Sequence, residues 1–334
     1  MLLIIVKRHD GGDSDMRARR RWLIGGAVAA VFVLLALAWS SGPLLRPLLF
    51  SKAMPTSYFS HFDYIRASLY QVSGPVYAFE RGFTRSLVLR TQDGIAIVDT
   101  FSDAHAAALK SAIEQQFPRE PVRWVIFSHN HLDHIRGSAM FSGAEVIGHA
   151  DTNELVRDWP EAGQGVAAVT RPITGDQTLQ LGGLEVQALY MPFSHSHTLY
   201  GFHVPSAGVV YAPDMMFVRT LPPFDFPDFY YPGYVRALDR LIGIDATHYV
   251  PSHTDRGSKQ DLIDFREMTV AFQTVVRDEI LSRGVESPTD GTALRESLRA
   301  AYAKLQPRYG SWHGFDDMFV PKFGRHVGGT YLGY

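Results

Sequence analysis

Apolar and polar positions alternate in short blocks along residues 58–257, and the blocks predict a strand-rich α/β domain. Runs at 68–72, 76–79, 86–90 and 95–98 carry the β-branched and aromatic side chains of strands. Asp93 and Gly94 form a hairpin turn signal between the last two, so the four read as a meander. The period then lengthens: residues 103–116 are Ala-rich with helical spacing, and 122–127 return to an apolar strand. The second half repeats the alternation loosely, with strands at 178–180, 184–189, 200–204 and 209–211, a helix at 234–242 and a strand at 248–250. From 258 to 302 the pattern is helical, and the tail to Tyr334 is rich in glycine and aromatic residues.

Residues 22–39 break this rhythm, with eighteen consecutive positions free of charge behind Arg17, Arg19, Arg20 and Arg21. That is the pattern of an export or anchoring segment, with the arginines cytoplasmic and everything after Ser40 outside the inner membrane of a bacterium-like cell. Two fates are open. The run is just long enough to stay as a transmembrane anchor, whereas Ala36-Leu37-Ala38 is a small-x-small cleavage site that would release the domain into the periplasm. Met16 is an alternative start to Met1. The expected organisation is a basic cytoplasmic N-terminus over 1–21, an anchor or signal segment over 22–39 and a proline-marked linker over 40–57. The catalytic domain follows over 58–257, and a helical C-terminal extension over 258–334 completes it.

Composition narrows the chemistry. With 334 residues and 46% apolar content, the chain can bury a substantial core. A formal charge of −2 provides no basic field, so nucleic acid is not an expected partner. Cysteine is absent, which excludes disulfides, thiolate ligands and a Cys nucleophile. Any metal must be held by His and carboxylate side chains.

Such side chains are concentrated directly after the strand at 122–127, where His129, His131, Asp133 and His134 place three imidazoles and a carboxylate within six positions. Residues two apart on an extended segment share a side, so His129 and His131 converge on one ion. A helical turn directly afterwards would swing Asp133 and His134 toward a second ion. Zinc, which accepts neutral imidazole and carboxylate, is the expected metal. His253 likewise follows a strand, so potential ligands sit where rigid elements meet variable loops.

Four stations occur in order: Ser128 to His134, preceded by Asp99-Thr100; Pro192-Phe193-Ser194-His195-Ser196; Val209 to Asp214; and Tyr249-Val250-Pro251-Ser252-His253. In that order and spacing the chain resembles the metallo-β-lactamase-fold hydrolase superfamily over roughly 68–257. The resemblance implies an α/β fold, a four-layer αββα sandwich with a dinuclear metal site at one edge. It implies that His129, His131 and His195 bind one ion, that Asp133, His134 and His253 bind the other, and that Asp214 bridges them. Two zinc ions are implied, with iron or manganese as alternatives. The spacing of His195, Pro205 and Asp214 matches the family's register, while His197 stays open as an alternative ligand, a substrate contact or a donor behind the ligands. Asp99 reads as a support for the site. Arg136 and Ser252 stand where the family often has Gly. An Asp at 214 resembles the branches that handle thioesters, lactones and phosphodiesters, and Leu199 replaces a position that is often polar in the lactamases.

The function this implies is an exported, membrane-anchored dinuclear zinc hydrolase using a metal-bridging hydroxide on an ester, lactone, thioester or amide-type bond. Asp133 would orient the hydroxide or carry its proton to the leaving group. The alternatives are a mononuclear iron oxidoreductase resembling persulfide dioxygenases, or β-lactamase or alkylsulfatase specificity. Aromatic residues crowd the proline-stiffened segment 215–234. They predict either an apolar wall for a small-molecule substrate, with Phe217, Tyr230 and His197 as contacts, or packing over the core. His61, His105, His149, His248, His313 and His326 lack ligand-like spacing and read as structural or surface residues, and His203, within a strand, reads as a packed or surface imidazole.

Overall fold

The four N-terminal strands pair as the meander predicts. In the computed structural model, which describes residues 66–160, 163–222, 229–285 and 291–333, β1 (Ala67–Ser73), β2 (Val76–Arg81), β3 (Thr84–Arg90) and β4 (Ile95–Val98) are antiparallel neighbours. Helix α1 (Asp103–Gln116) crosses over, capped by the Ser102 side chain, and β5 (Val122–Ile126) returns parallel to β4. A short turn, α2 (Leu132–Ile135), follows β5. β6 (Glu145–His149), α3 (Thr152–Arg157) and β7 (Arg171–Ile173) then complete a seven-stranded sheet in the order β1 to β7. The alternation of the sequence does not reveal β6 or β7. Both are short, Gly148 interrupts one and Pro172 the other, and their strand character comes from parallel pairing to β5 and to each other.

The second sheet runs β12-β11-β10-β9-β8. β8 (Gln177–Leu181), β9 (Leu184–Tyr190), β10 (Tyr200–Val204) and β11 (Val209–Ala212) are antiparallel, and β12 (His248–Pro251) joins β11 in parallel. Between β11 and β12 lies α4 (Tyr231–Ile242).

Three buried clusters define the layers. Leu87, Leu89, Val98 and Ile126 from the first sheet meet Val186, Tyr200, Phe202 and Val209 from the second. The opposite face of the first sheet, with Val88, Ile97 and Val125, packs on Ala106, Leu109 and Ile113 of α1. The opposite face of the second sheet, with Val210, Ala212 and Tyr249, packs on Leu238 and Leu241 of α4 and on Leu262 and Phe265 of α5 (Lys259–Ser282). Neighbours such as Leu87 and Val88 therefore serve opposite layers, as the period of two requires. The result is an αββα sandwich.

Helices α6 (Gly291–Tyr309) and α7 (Phe315–Leu332) join the outer cluster through Ala301, Leu305, Phe315 and Phe319. The tail is thus a helix where the sequence showed only glycine and aromatic content. Phe315, Phe319 and Phe323 recur four apart, and burial of that face holds a helix containing Pro321 and several glycines.

The described residues all fall within the compact unit Ser57–Tyr334. Among them no helix is long and apolar enough to cross a membrane. The segment at 22–39, the linker, His61 and the aromatic positions Phe224 and Phe226 lie outside the described residues.

Candidate metal centre

The candidate ligands stand at or just beyond the ends of strands. His131 keeps an extended backbone as the cap of α2, so His129 and His131 stay on one side with ring centroids 4.5 Å apart, while α2 turns Asp133 and His134 away. The loop from β9 to β10 carries His195, the residues after β11 carry Asp214, and His253 follows β12. These seven side chains gather into two groups, His129, His131, His195 and Asp214 in one, Asp133, His134 and His253 in the other.

Asp214 faces both. Its Oδ2 lies 2.9 Å from His195 Nε2 and 3.5 Å from His129 Nε2. Its Oδ1 lies 3.1 Å from His134 Nε2 and 3.0 Å from His253 Nε2. Within the groups, His195 Nε2 is 3.0 Å from His131 Nδ1, and His134 Nε2 is 3.0 Å from His253 Nε2. Asp133 stands further out, with Oδ2 3.9 Å from His253 Nε2 and its side chain 58% exposed.

The hydrogen bonds around the rings decide their tautomers. Asp99 Oδ2 accepts from Ser128 Oγ at 2.7 Å and from His134 Nδ1 at 2.9 Å, and Asp99 Oδ1 accepts from the Ser128 amide at 2.8 Å. Because the Ser128 hydroxyl proton goes to Asp99, His129 Nδ1 must donate to Ser128 Oγ, 2.9 Å away. His253 Nδ1 likewise faces only a carbonyl, that of Phe83 at 3.3 Å. With Nδ1 engaged as a donor in each ring, the Nε2 atoms of His129, His134 and His253 are the ones left to face Asp214. His129 Nε2 is buried with no hydrogen-bond partner, and the Nε2 atoms of His134 and His253 oppose each other beside a carboxylate oxygen.

Imidazole nitrogens gathered around one buried carboxylate suit a cation between them. Two donors on a tetrahedral zinc, at about 2.0–2.1 Å from the ion, sit about 3.3 Å apart, close to the separations here. The set of imidazole and carboxylate donors without thiolate suits a divalent cation and leaves its identity open among zinc, iron and manganese. Without the ion, protons take its place. Burial opposes a charge on His134, but Asp214 and Asp99 hold its pKa well above the usual imidazole range. Burial, aided by the neighbouring imidazoles, holds that of His129 well below it. Burial alone would raise the Asp214 carboxyl, yet His134, His253 and His195 hold it well below the usual range.

The scaffold orienting these ligands reaches across the chain. Asp214 sits at φ +53 and Asp99 at φ +61, left-handed conformations that cost non-glycine residues of order 1–3 kcal/mol and are held by their surroundings. Ser252 Oγ donates to Asp214 Oδ1, and the Tyr234 hydroxyl donates to the Asp214 carbonyl at 2.6 Å. Buried Arg85 donates to the carbonyls of Pro251 at 3.1 Å and Thr254 at 3.0 Å, on either side of His253, and pairs with Glu80 at 3.2 Å. Asn130 and Thr198 tie the two histidine loops together, with Thr198 Oγ1 accepting from the Asn130 amide at 3.0 Å and donating to Asn130 Oδ1 at 2.7 Å. Gly233 lets α4 approach the second loop, since a Cβ there would stand 1.6 Å from the Phe193 carbonyl oxygen.

The remaining expected residues fall outside these groups. His197 turns away from His195, and its Nε2 lies 3.3 Å from Asp151 Oδ2, in a separate cluster with His149. Phe217 is buried and stacks on the His253 ring with centroids 6.0 Å apart. The half-buried Tyr230 donates its amide to the Ser194 carbonyl. His105 is buried between Thr84 and Ser86, and His203 pairs with Gln187. Sequence reasoning anticipated Asp99 as a support but missed Arg85, which has no local signal, and the supporting contacts of Ser128, Tyr234 and Tyr211, whose hydroxyl donates to Asp99 Oδ2 at 3.2 Å. It placed Ser252 only as an irregular residue in the last station.

The family model of the metallo-beta-lactamase superfamily matches residues 80–253. The alpha subunit of 2,4-dinitroanisole O-demethylase from Nocardioides sp. (strain JS1661) is 30% identical over 195 residues, 57% of this chain and 58% of that protein. The beta subunit is 25% identical over 194 residues, 57% of this chain and 59% of that one. Hydroxyacylglutathione hydrolase from Legionella pneumophila (strain Corby) is 26% identical over 102 residues, 29% and 34% of the two chains. The matches thus span less than two thirds of the length of each relative. Among solved structures, a metallo-beta-lactamase from Pontibacter korlensis aligns with a TM-score of 0.53 and 17% identity, covering 61% of this chain and 99% of that one. Metallo-beta-lactamase IND-7 aligns with the same TM-score of 0.53 and 16% identity, covering 62% and 99%. At such identities the likeness is one of fold.

Proposed function

Given that the chain belongs to the metallo-beta-lactamase superfamily, we propose that it is a hydrolase holding two divalent ions, zinc foremost, and acting on an ester, lactone, thioester or amide-type bond of a small molecule. The observation that carries this reading is Asp214, whose two oxygens each serve a different ligand group. When bound, such ions supply a nucleophilic water at neutral pH and a Lewis acid for the substrate oxygen. The chain's own residues do the rest. His129, His131 and His195 would hold one ion, and Asp133, His134 and His253 the other. Asp133 is the most exposed carboxylate of the set, placed to orient the attacking water and pass its proton to the leaving group.

The deciding experiment is metal analysis of the purified chain beside a panel of thioesters, lactones, β-lactams, alkyl sulfates and phosphodiesters, with and without chelator. About two zinc ions per chain and chelator-sensitive hydrolysis are expected. One iron per chain with oxygen consumption would replace this reading with the persulfide dioxygenase-like alternative.

The two O-demethylase subunits favour a second reading, hydrolysis of an activated aryl alkyl ether to a phenol and an alcohol. Phe193, 67% exposed two residues before His195, supplies an aromatic surface beside the site. Release of a phenol from a nitro-substituted anisole is its test.

The uncharged run at 22–39 behind its arginines supports an inner-membrane anchor with the catalytic domain in the periplasm. Fractionation of cells expressing the full chain, with protease added to spheroplasts, checks this. Recovery in the soluble periplasm would mean a cleaved signal peptide.

A further inference from the structure

His149, Asp151 and His197 form a second constellation of donors, distinct from the two groups around Asp214. His149 closes β6, the strand paired in parallel with β5, so it emerges at the same sheet edge as the His129 loop. His197 lies two residues beyond His195 on the second histidine loop. We propose that these three residues form a third metal site, one that takes a divalent transition cation such as zinc, nickel or copper.

The donor atoms lie within 4.8 Å of one another. Asp151 Oδ2 is the hub, 3.3 Å from His197 Nε2 and 3.6 Å from His149 Nδ1. These spacings fit donors on one tetrahedral ion, which lie about 3.3 Å apart. Protonation points the same way. The Asp151 amide donates to His149 Nδ1 at 3.2 Å, so that nitrogen carries a lone pair. An unprotonated nitrogen then faces a carboxylate oxygen with no proton between them, an arrangement that a cation relieves. The ion would replace one backbone hydrogen bond, and the freed Asp151 amide lies at an exposed residue where water can take it.

The positions are held in advance. His149 is 7% exposed and stacks on Tyr190, with centroids 5.2 Å apart and planes 21° from parallel. The hydroxyl of the same Tyr190 donates to the His197 carbonyl at 2.8 Å, so one tyrosine holds the His149 ring and the His197 backbone. The flanking Ser196 and Thr198 side chains anchor the loop to Asn130. Two imidazoles and one carboxylate match borderline cations better than calcium or magnesium, which prefer oxygen. Three protein ligands leave a fourth position for water or for an anionic group of an approaching substrate. The exposed side chains of Asp151 and His197 make this site weaker than the buried groups.

The test compares the full chain with Asp151→Asn and His197→Ala, each dialysed to equilibrium against Zn2+ and analysed for metal, with Cu2+ electron paramagnetic resonance as a second readout. Each variant should bind one ion fewer per chain than the unaltered protein. Each should also lose a Cu2+ signal split by two imidazole nitrogens. Equal metal content in all three proteins, with an unchanged Cu2+ spectrum, would overturn the proposal. Because the readout is a difference, it stands whatever occupies the groups around Asp214. Asp151 is exposed and Asp151→Asn is nearly isosteric, so this variant reports even if His197→Ala disturbs its loop.

Discussion

Ser252 Oγ donates to Asp214 Oδ1 at 2.8 Å and accepts from the Asp214 amide at 3.0 Å. One hydroxyl thus fixes both the left-handed backbone and the carboxylate plane of the residue shared by the two ligand groups. A glycine at this position would remove both contacts and leave the carboxylate held by the surrounding imidazoles.

Replacing Ser252 by Ala should weaken divalent-ion binding about tenfold and cost about 1 kcal/mol of stability. Competition with a chromophoric chelator measures the first, and urea unfolding of the metal-free chain the second. An unchanged affinity would mean that the backbone alone orients Asp214.

Asp99 should act through His134. In Asp99→Asn the carboxylate that holds the His134 Nδ1 proton and receives the Ser128 and Tyr211 hydroxyls is lost. Asn tolerates the same left-handed backbone, so the fold should survive while metal affinity drops roughly 10- to 100-fold. Chelator competition beside a thermal melt separates the two effects.

Arg85 holds the loop carrying His253 from behind. Arg85→Ala leaves Pro251 and Thr254 carbonyls without their donor and should destabilise the chain by about 3 kcal/mol, read from urea unfolding. Arg85→Lys should recover only part of that, because a single ammonium does not reproduce the planar fork that spans both carbonyls. Full recovery by Lys would show that charge, not geometry, matters.

His105 makes stability depend on pH. Burial first, then the charge of Arg81, takes its pKa down from 6.5 to about 3. Below its ordinary value the unfolded chain therefore binds a proton that the folded chain refuses. The stability this group contributes is present above 6.5 and falls away as the pH drops from 6.5 toward about 3. Within that window the slope attributable to one such proton approaches about 1.4 kcal/mol per pH unit. Unfolding free energies at several pH values should fall less steeply in His105→Gln by about that amount. Parallel curves for the two proteins would place the acid sensitivity elsewhere.

Local pattern was enough for the meander, α1, β5 and the paired strands of the second sheet, because alternation and helical spacing are properties of neighbouring residues. It was also enough to single out His129, His131, Asp133 and His134, whose convergence needs only an extended segment followed by one helical turn. Other features have no local cause. β6 and β7 are strands through their partners, and α7 is a helix because Phe315, Phe319 and Phe323 find a buried face. His195 and His197 lie on one short loop, and only the register of the family resemblance favoured His195. Tertiary packing sends the first toward Asp214 and the second toward Asp151. Arg85, remote in sequence from His253, supports it only because β3 passes the end of β12. The sequence by itself determined which chemistry the chain can offer, through residue types and short-range geometry. Tertiary structure alone shows how those donors gather around Asp214, because convergence and burial depend on segments brought together from distant parts of the chain.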